Sequence, residues 1–512
     1  MDDIIFNKQQ GGLGRALAGS DYLSAMMFYS AVLPSGFTTT FNKKQIFQVS
    51  DAENLGILNT YADETAATGT YLITTKGNTG DTLKISITVP SVTGIPTTVN
   101  LGTYTVPSTS STIAAQGADI AAMVNAGTVT NGFSAIFLTA TLTIKAAPGL
   151  GIALNTGTPI VITITGAFAG TLTQFSGGVY SKQAIWHYFI SEYFRIQPQG
   201  NLWIGFYPVP GSYTYTELQD LQTFAKGTIR QTLIYNDVAR TYANVSSDCT
   251  AIQAVNAILE TLHMPMSVIY APNIAAITDL STLNNIRLLS APKCSVNISQ
   301  DGAAHGALLF ITSGVSITNG GALLGAVSLA KVSEDIGWLG KFNISNGVEN
   351  DTIGFSNGQL LTSISTNLLN QLDAYGYIFL VNEIDFPGSF FNDSHCAVSI
   401  ASDYAYIENN RTIDKAIRVG RAALLPNLKG PLSFNADGTL TNITIAGFRG
   451  NLITASNAMI RAGEISAAGI TIDPSQLALT TSNIVIKFQI LPEGVARNII
   501  VNIGYTTAIT SS

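Results

Sequence analysis

The sequence is poor in charged residues. Asp, Glu, Lys and Arg make up 11% of its 512 residues, against about 25% in an average soluble protein. Gly, Thr, Ser, Asn and Ala occupy the positions that charged residues usually fill. A free protein normally carries more charge, because surface charge keeps molecules apart in solution. The composition favours a protein whose surface is largely covered by copies of itself, although a secreted adhesin shares it.

Cysteine is scarce as well. The three cysteines, Cys249, Cys294 and Cys396, lie far apart and form no CxxC pair, so neither a disulfide framework nor a zinc site is indicated. We expect them to be small buried apolar residues. The net charge of −7 argues against a nucleic-acid-binding protein, because such a protein needs a basic surface to displace counterions.

The N-terminus lacks the basic start and apolar run of a signal peptide. It opens with Met1-Asp2-Asp3, and we expect a protein that is made and kept in a cytoplasm. One uncharged run, Gly306–Ala330, is long enough to span a bilayer, but the Gly320-Gly321 pair would break a helix at its centre. Two helices around a glycine-rich turn are predicted there, and no membrane insertion.

No arrangement of residues is typical of metal binding. The histidines are single and form no pair on one helical face: His187, His263, His305 and His395. Two acidic segments, Glu334-Asp335 and Glu349-Asn350-Asp351, lack the spaced oxygens of a calcium loop. We predict that both segments lie on solvated turns and that the protein holds no metal.

Catalytic motifs are equally absent. The glycines of Gly337-Trp-Leu-Gly340-Lys341 are too close for a phosphate-binding loop, and Phe342 replaces the required Ser or Thr. Ser328-Leu-Ala-Lys331 has the serine–lysine spacing of penicillin-interacting enzymes without their other motifs. We predict no catalytic residue, no cofactor and no enzyme.

Changes in composition divide the chain into four parts. A polar, glycine-punctuated arm covers residues 1–20. Residues 21–65 and 179–405 are predicted to form an α/β core, residues 66–178 an inserted β-rich domain dominated by Thr, Gly and Val, and residues 406–512 a C-terminal α+β domain. The predicted fold class is a multidomain α/β (α+β) protein.

Within the core, helical and strand patterns alternate. A helix is predicted over Tyr22–Val32 and a second over Ser181–Phe194, followed by a buried strand over Trp203–Tyr207. Thr214 and Glu217 have the spacing of a capping box that opens the next helix. This βαβ rhythm predicts a parallel sheet.

A cationic helix begins at Ile407. Arg411, Lys415 and Arg418 recur at helical spacing with Arg421 beside them. The opposite arc, which we expect to pack, holds the apolar residues Ile413, Ala416, Ile417 and Leu424. Such a cationic face is often merely solvated. In a chain with so few charges, we interpret it as a contact surface for an anionic protein partner.

Several strings resemble the contractile tail sheath family of myophages and related injection systems, in the form that carries an inserted β domain. They occur in this order: Asp51–Ile57, Ile185–Arg195, Lys331–Asn343, Asn410–Ala416, Gly463–Ile465, Ile472–Pro474 and Pro492–Arg497. Together they span nearly all of the chain except residues 66–178.

The resemblance implies a homo-oligomer of six-subunit rings stacked helically around an inner tube, with a baseplate and a terminator as further partners. It implies a virion tail or injection particle assembled in the bacterial cytoplasm. The C-terminal domain would act as a locking domain whose cationic helix (Arg411, Lys415, Arg418, Arg421) contacts the tube. The terminal segments would be exchanged as strands between subunits: Ile4, Ile5 and Phe6, and Ile499, Ile500, Val501, Ile503 and Tyr505.

Other interpretations remain open at this point. A secreted adhesin or surface-layer protein would explain the low charge and the Thr-rich domain but predicts a signal peptide. A hydrolase on the α/β core would need a paired nucleophile and base. The inserted domain is predicted to face outward, where it binds glycan or stabilises the shell.

Overall fold

The computed structural model describes residues 20–92, 94–236 and 240–505. The predicted exchange segment Ile4–Phe6 lies outside these residues. Contacts divide the described chain into two compact units: residues 20–330 with 336–410, and residues 331–335 with 411–505. The second unit therefore takes in Lys331–Asp335, a segment that the sequence placed in the core.

The first unit opens with β1 (Leu23–Tyr29), β2 (Lys43–Ile46) and the short helix α1 (Val49–Asn54). The predicted helix over Tyr22–Val32 is wrong, because this segment is a strand. Its residues Ala25–Tyr29 are all fully buried. A continuous apolar run with no polar face suits a strand that is covered on both sides.

Residues 66–178 contain their own sheets and core. The elements are β3 (Thr68–Thr75), β4 (Thr82–Val89), β5 (Thr97–Thr105), α2 (Ile113–Ala126), α3 (Thr128–Asn131), β6 (Ser134–Leu138), β7 (Thr141–Lys145), β8 (Ile160–Thr165) and β9 (Ala169–Ser176). They form a four-stranded sheet in the order β6-β7-β3-β9 and a three-stranded sheet in the order β5-β4-β8. Both sheets and α2 contribute to one apolar cluster. Thr65 and Val179 pair in an antiparallel bridge, so the chain enters and leaves this region at one place.

The α/β pattern resumes after Val179. The helices are α4 (Lys182–Ile196), α5 (Glu217–Phe224), α6 (Val245–Thr261), α7 (His305–Ser313), α8 (Gly320–Leu329) and α9 (Thr366–Ala374). The strands are β10 (Asn201–Tyr207), β11 (Gln231–Asn236), β12 (Ser267–Tyr270), β13 (Ser290–Ala291), β14 (Cys294–Asn297), β15 (Ser299–Asp301), β16 (Ile353–Phe355), β17 (Tyr377–Ile378), β18 (Leu380–Glu383), β19 (Phe386–Phe391) and β20 (Ala397–Val398).

A seven-stranded sheet in the order β17-β14-β12-β11-β1-β10-β2 organises the first unit. Its strands are parallel except β2, which pairs antiparallel with β10. Side chains of β1 alternate between two apolar clusters: Met26 and Phe28 face one, and Ala25, Met27 and Tyr29 face the other. The α/β fold class predicted from the sequence is confirmed.

Helices α4 and α5 begin in different ways. Ser181 caps α4, because its hydroxyl accepts a hydrogen bond from the backbone N–H of Ala184 at 3.1 Å. The predicted capping box at Thr214 and Glu217 is wrong. Helix α5 starts at Glu217 itself, whose carboxylate accepts a hydrogen bond from Tyr29 Oη at 2.8 Å.

The uncharged run forms two helices, α7 and α8, as predicted. The break follows Gly314, however, and the Gly320-Gly321 pair that was expected to cause it lies in the first turn of α8. No helix in the described ranges is long and apolar enough to cross a membrane. Helix α8 packs closely on α4: a Cβ atom on Gly321 would lie 2.1 Å from the backbone oxygen of Phe189. Glycine is therefore required at this crossing.

The second unit is built from α10 (Ile407–Leu424), which begins in the first unit, and from α11 (Asn442–Arg461), β21 (Ile465–Ile472), α12 (Ala478–Thr481) and β22 (Ile486–Pro492). Strands β21 and β22 form an antiparallel two-stranded sheet. Two small apolar clusters lie among these elements, and Phe488 of β22 packs against both. The core of this unit is thus small.

Candidate assembly site

The four cations of α10 occupy different environments. Arg411 is 5% exposed, and its Nη1 donates to the backbone oxygen of Lys331 at 3.2 Å. Lys415 forms an ion pair with Glu464. Arg418 is half-buried and Arg421 is exposed. The sequence prediction of a single positive outer face is therefore met only at the C-terminal end of the helix.

The apolar arc of α10 also differs from the prediction. Ala416 is buried as expected, but Ile417, which the sequence placed on the packed face, is 52% exposed. Thr412 is buried and donates its hydroxyl to the backbone oxygen of Val332 at 3.1 Å. Polar contacts with Lys331–Asp335 rotate the buried face toward Arg411 and Thr412, and periodicity alone carries no information on such contacts.

Lys331–Asp335 is held by several elements of the second unit. Lys331 Nζ donates to the backbone oxygen of Ala462 at 3.1 Å. Ser333 Oγ donates to that of Gly463 at 3.0 Å. Asp335 accepts from Arg497 Nη2 at 3.1 Å. The segment is thus a fixed part of this unit, and the start of the C-terminal tail is attached to it.

Strands β21 and β22 pair only with each other within the described residues, so the outer edge of each strand is open. On β22, Ile486, Phe488 and Ile490 pack toward the apolar clusters, and Lys487, Gln489 and Leu491 are exposed. A two-stranded sheet is only marginally stable by itself. Open edges of this kind are templates for further strands.

The tail from Ile499 to Tyr505 is exposed along its whole length. Ile499, Ile500, Val501 and Ile503 are each more than three-quarters exposed, and Ile503 reaches 96%. These residues were predicted to form a strand, yet no regular secondary structure is assigned to them here. Residues of this type favour strands when they are buried on one face, and this tail has no such partner within its own chain among the described residues.

His395 and the three cysteines lie in the packed interior. His395 Nε2 lies 2.9 Å from the Asp373 carboxylate, and His395 Nδ1 lies 2.5 Å from Arg287 Nη2. The cysteines are buried and free, as predicted. The hydrogen bond that Cys294 Sγ donates to Cys249 Sγ, together with burial, raises the pKa of Cys294 well above its usual value. Burial raises the pKa of Cys396 to about 12. No group of three or more side chains suited to a metal ion forms in the part of the chain that the structure covers.

The acidic segments are only partly solvated, since Asp351 is exposed but other residues of both segments are buried or half-buried. Asn350 is fully buried, with φ +62°, and the Asp335 side chain is 10% exposed. Burial raises the pKa of the Glu349 carboxyl to about 8. The prediction of solvated turns therefore holds at Asp351 and is wrong at Asp335 and Glu349, whose partners Arg497 and Asp301 are distant in the sequence.

Comparisons with known proteins point to the C-terminal region. A family model described as DUF2586, C-terminal domain, matches residues 403–510. No curated protein matches the sequence.

Solved structures with similar chains include two from the anti-feeding prophage (AFP). The match in its baseplate has 15% sequence identity and a TM-score of 0.43, covering 63% of this chain and 80% of that chain. The match in its contracted helical sheath has 14% identity and a TM-score of 0.44, covering 63% and 81%. A sheath tail protein from Desulfitobacterium hafniense has 11% identity and a TM-score of 0.35, covering 96% and 100%.

Proposed function

We propose that the chain is a structural subunit of a contractile tail sheath. It would polymerise as stacked six-fold rings around an inner tube and contract to drive that tube through a cell envelope. The observation that carries the proposal is the exposed apolar tail Ile499–Tyr505. This tail extends from a unit whose two-stranded sheet has open edges within the described residues. The order of the sheath-like strings along the sequence supports it.

The tail has no partner that buries one of its faces, and the sheet has edges without a neighbouring strand, among the described residues. Exposed backbone N–H and C=O groups of an edge strand pair readily with another extended chain. A tail of Ile and Val residues becomes stable as a strand once a neighbour buries one of its faces. Because β21 and β22 each have an open edge, a strand received from another copy would turn a marginal sheet into a stable one.

Strand donation from copy to copy is a head-to-tail contact. Such contacts generate rings where the rotation closes and open helical filaments where it does not. A chain that gives its tail to one neighbour and receives another neighbour's tail therefore forms a continuous mesh. Ile4, Ile5 and Phe6 of the N-terminal arm are proposed as a second donated strand.

Contact with the tube is proposed for the C-terminal end of α10. Arg421 is exposed and Arg418 is half-buried, so these two can reach an anionic partner. Arg411 and Lys415 are proposed to support this surface from inside, since they hold Lys331 and Glu464. The partner would be the inner tube protein, with baseplate and terminator proteins at the two ends.

The inserted region is proposed to face away from the tube. Its four-stranded sheet exposes Ile136 and Leu138 of β6 and Leu72 of β3. Entry and exit at the bridged pair Thr65 and Val179 let this mass project without interrupting the core. The particle would be a virion tail or an injection particle, assembled in a bacterial cytoplasm.

Electron microscopy of the purified chain tests the proposal. Striated cylinders or six-fold rings are expected, in preparations with and without the tube protein. Monodisperse particles that never polymerise at high concentration would contradict a sheath role. Polymers formed by a chain truncated after Pro492 would separately contradict the role of the tail.

A further inference from the structure

A series of buried polar contacts joins α4 and α8 to the loop that follows α8. Glu192 forms a two-point ion pair with Arg195, at 2.6 and 2.8 Å. Asn350 Nδ2 donates to Glu192 Oε2 at 3.2 Å, and Asn319 Nδ2 donates to Asn350 Oδ1 at 2.6 Å. The loop residue Asn350 is therefore fixed between two helices.

Asp301 continues this series at the end of β15. Its backbone N–H donates to Asn319 Oδ1 at 2.8 Å. Its Oδ1 accepts the N–H groups of Ala303 and Ala304, both at 3.0 Å, ahead of α7. The residue is fully buried. Its second oxygen, Oδ2, receives no hydrogen bond from a donor in the described residues.

Glu349 meets Asp301 from the loop. Its carboxyl group accepts the backbone N–H of His305 and makes a hydrogen bond with the Asp301 side chain. Glu349 Oε2 is buried and, like Asp301 Oδ2, has no donor among the described residues. Two ionised carboxylates are both acceptors and cannot bond to each other. A hydrogen bond between them requires a proton on one of the two.

We propose that Asp301 and Glu349 share one proton at neutral pH, and that this proton is a latch holding the loop of residues 343–351 against α4 and α7. In the closed state, the Glu349 hydroxyl donates to the Asp301 carboxylate. When a base in solution removes the proton, two carboxylates are left in contact, and their repulsion opens the loop.

The surroundings of Asp301 and Glu349 favour neutralisation of their negative charge by a proton rather than by a metal cation. Burial, the hydrogen bond to Asp301 and the charges of Asp301 and Glu192 together raise the pKa of Glu349 to about 8. The His305 N–H opposes it. The positive end of α7 makes a bridging metal cation unfavourable at this place.

The other titratable groups that face the pair keep their state near pH 8. Burial raises the pKa of Tyr188 on α4 well above its usual value, so the phenol stays neutral. Burial lowers the pKa of His305 on α7 below 6.5, so the imidazole is neutral as well. Arg195 is already bonded to Glu192. The Asp301–Glu349 pair is therefore the group whose net charge changes near pH 8, while Tyr188, His305 and Arg195 keep theirs.

The direction of the pH effect follows from these values. The pKa of Glu349 is raised from 4.5 to about 8 in the folded state. The stabilisation is therefore full below about pH 4.5 and is lost as the pH rises through about 8. The loop should open above that pH.

Hydrogen–deuterium exchange of the peptide covering residues 343–351 tests the latch. Glu349→Gln keeps a donor toward Asp301 but cannot ionise. Comparison with this variant at one pH cancels the intrinsic effect of pH on exchange. We expect the exchange rate of the unsubstituted chain, relative to that of Glu349→Gln, to rise about 10²-fold between pH 6 and pH 9, because the pKa of Glu349 is about 8 in the closed loop and near its ordinary 4.5 in the open loop. Glu383→Gln, at an exposed position of β18, is the matched control and should follow the unsubstituted chain.

Asp301→Asn provides a second, independent test of the latch by the same exchange measurement. The new amide keeps an oxygen for the start of α7 and donates to an ionised Glu349, so the difference between pH 6 and pH 9 should disappear. Equal exchange of the unsubstituted chain and Glu349→Gln at both pH values would overturn the latch. Faster exchange in EDTA, reversed by Ca²⁺ or Zn²⁺, would overturn it in favour of a bridging cation.

Discussion

Lys415 on α10 forms an ion pair with Glu464, the residue immediately before β21. The lysine side chain is 18% exposed and the glutamate side chain 9%. The pair ties the helix to the two-stranded sheet, so a cation that appeared to be part of an outer surface in the sequence stabilises the unit from inside. The helix therefore carries both buried cations that support its position and, at Arg421, a cation that is exposed to solvent.

Lys415→Met should destabilise the second unit. It leaves the largely buried Glu464 carboxylate without its counter-charge, which costs about 2–3 kcal/mol of unfolding free energy. Lys415→Met/Glu464→Gln should recover part of the loss, because no charge is then left unpaired. Arg421→Met changes an exposed position and should leave the unfolding free energy within about 0.5 kcal/mol. Denaturant unfolding measures all three, and equal stability of the two single variants would contradict the role of the pair.

Arg421→Glu should weaken assembly on the tube without affecting the fold. The exposed position has room for the new carboxylate, and reversing the charge opposes an anionic partner. Co-sedimentation of the chain with preformed tubes measures the effect at low and at high salt. The fraction of Arg421→Gln that sediments with tubes should lie between the fractions of Arg421→Glu and of the unsubstituted chain. The differences between the three proteins should shrink at high salt, because salt screens the charges. Normal sedimentation of Arg421→Glu with tubes at low salt would show that Arg421 of α10 does not contact the tube.

The sequence predicted elements where periodicity is strong. The helix from Ser181 and the strand at Trp203–Tyr207 were correct, because both are long apolar patterns bounded by polar residues. The helix predicted at Tyr22–Val32 was wrong, since a short apolar run cannot distinguish a buried strand from a buried helix. That choice depends on β10 and β11, which lie on either side of β1.

The candidate site was less accessible to sequence reasoning. The helix that carries the cations was predicted correctly. Glu464 and Lys331–Asp335, which hold Lys415 and Arg411, are distant from the helix in the sequence. The role of the tail Ile499–Tyr505 was predicted from the family resemblance and from its apolar, strand-forming composition, and it stays a prediction. Long-range polar pairs such as Asp301 and Glu349 have no local pattern that could reveal them.

Gly321→Ala should destabilise the first unit. The added methyl group would lie 2.1 Å from the backbone oxygen of Phe189, so α8 has to move away from α4, at a cost of about 2–3 kcal/mol. Gly447→Ala is the matched control, because this glycine of α11 has nothing within 4 Å of an added Cβ. It should stabilise its helix by about 0.5–1 kcal/mol. Thermal unfolding of both variants checks the opposite signs, and loss of stability in Gly447→Ala would show that the exposed side of α11 is covered.

Excision of residues 66–178 should leave the core folded. Thr65 and Val179 exchange two backbone hydrogen bonds, of 3.1 and 2.8 Å, so a short Gly-Ser linker can join them without strain. Glu64 loses its bonds to the backbone N–H groups of Gly149 and Gly151, and a small drop in melting temperature is expected for this reason. Circular dichroism and calorimetry measure the outcome. Failure of the shortened chain to fold, also with Glu64→Gln, would contradict the predicted domain boundaries.

Proline in the tail should abolish assembly while leaving the monomer intact. Adjacent residues of a strand point their N–H groups in opposite directions, so one of the two variants Ile500→Pro and Val501→Pro must remove a bond to a receiving sheet. Neither side chain is buried in the monomer, and the melting temperature should not change. Ile500→Thr and Val501→Thr keep both N–H groups and the preference for strands, and these controls should still polymerise. Electron microscopy and sedimentation compare the four variants. Normal polymers from both proline variants would show that the tail is not donated as a strand.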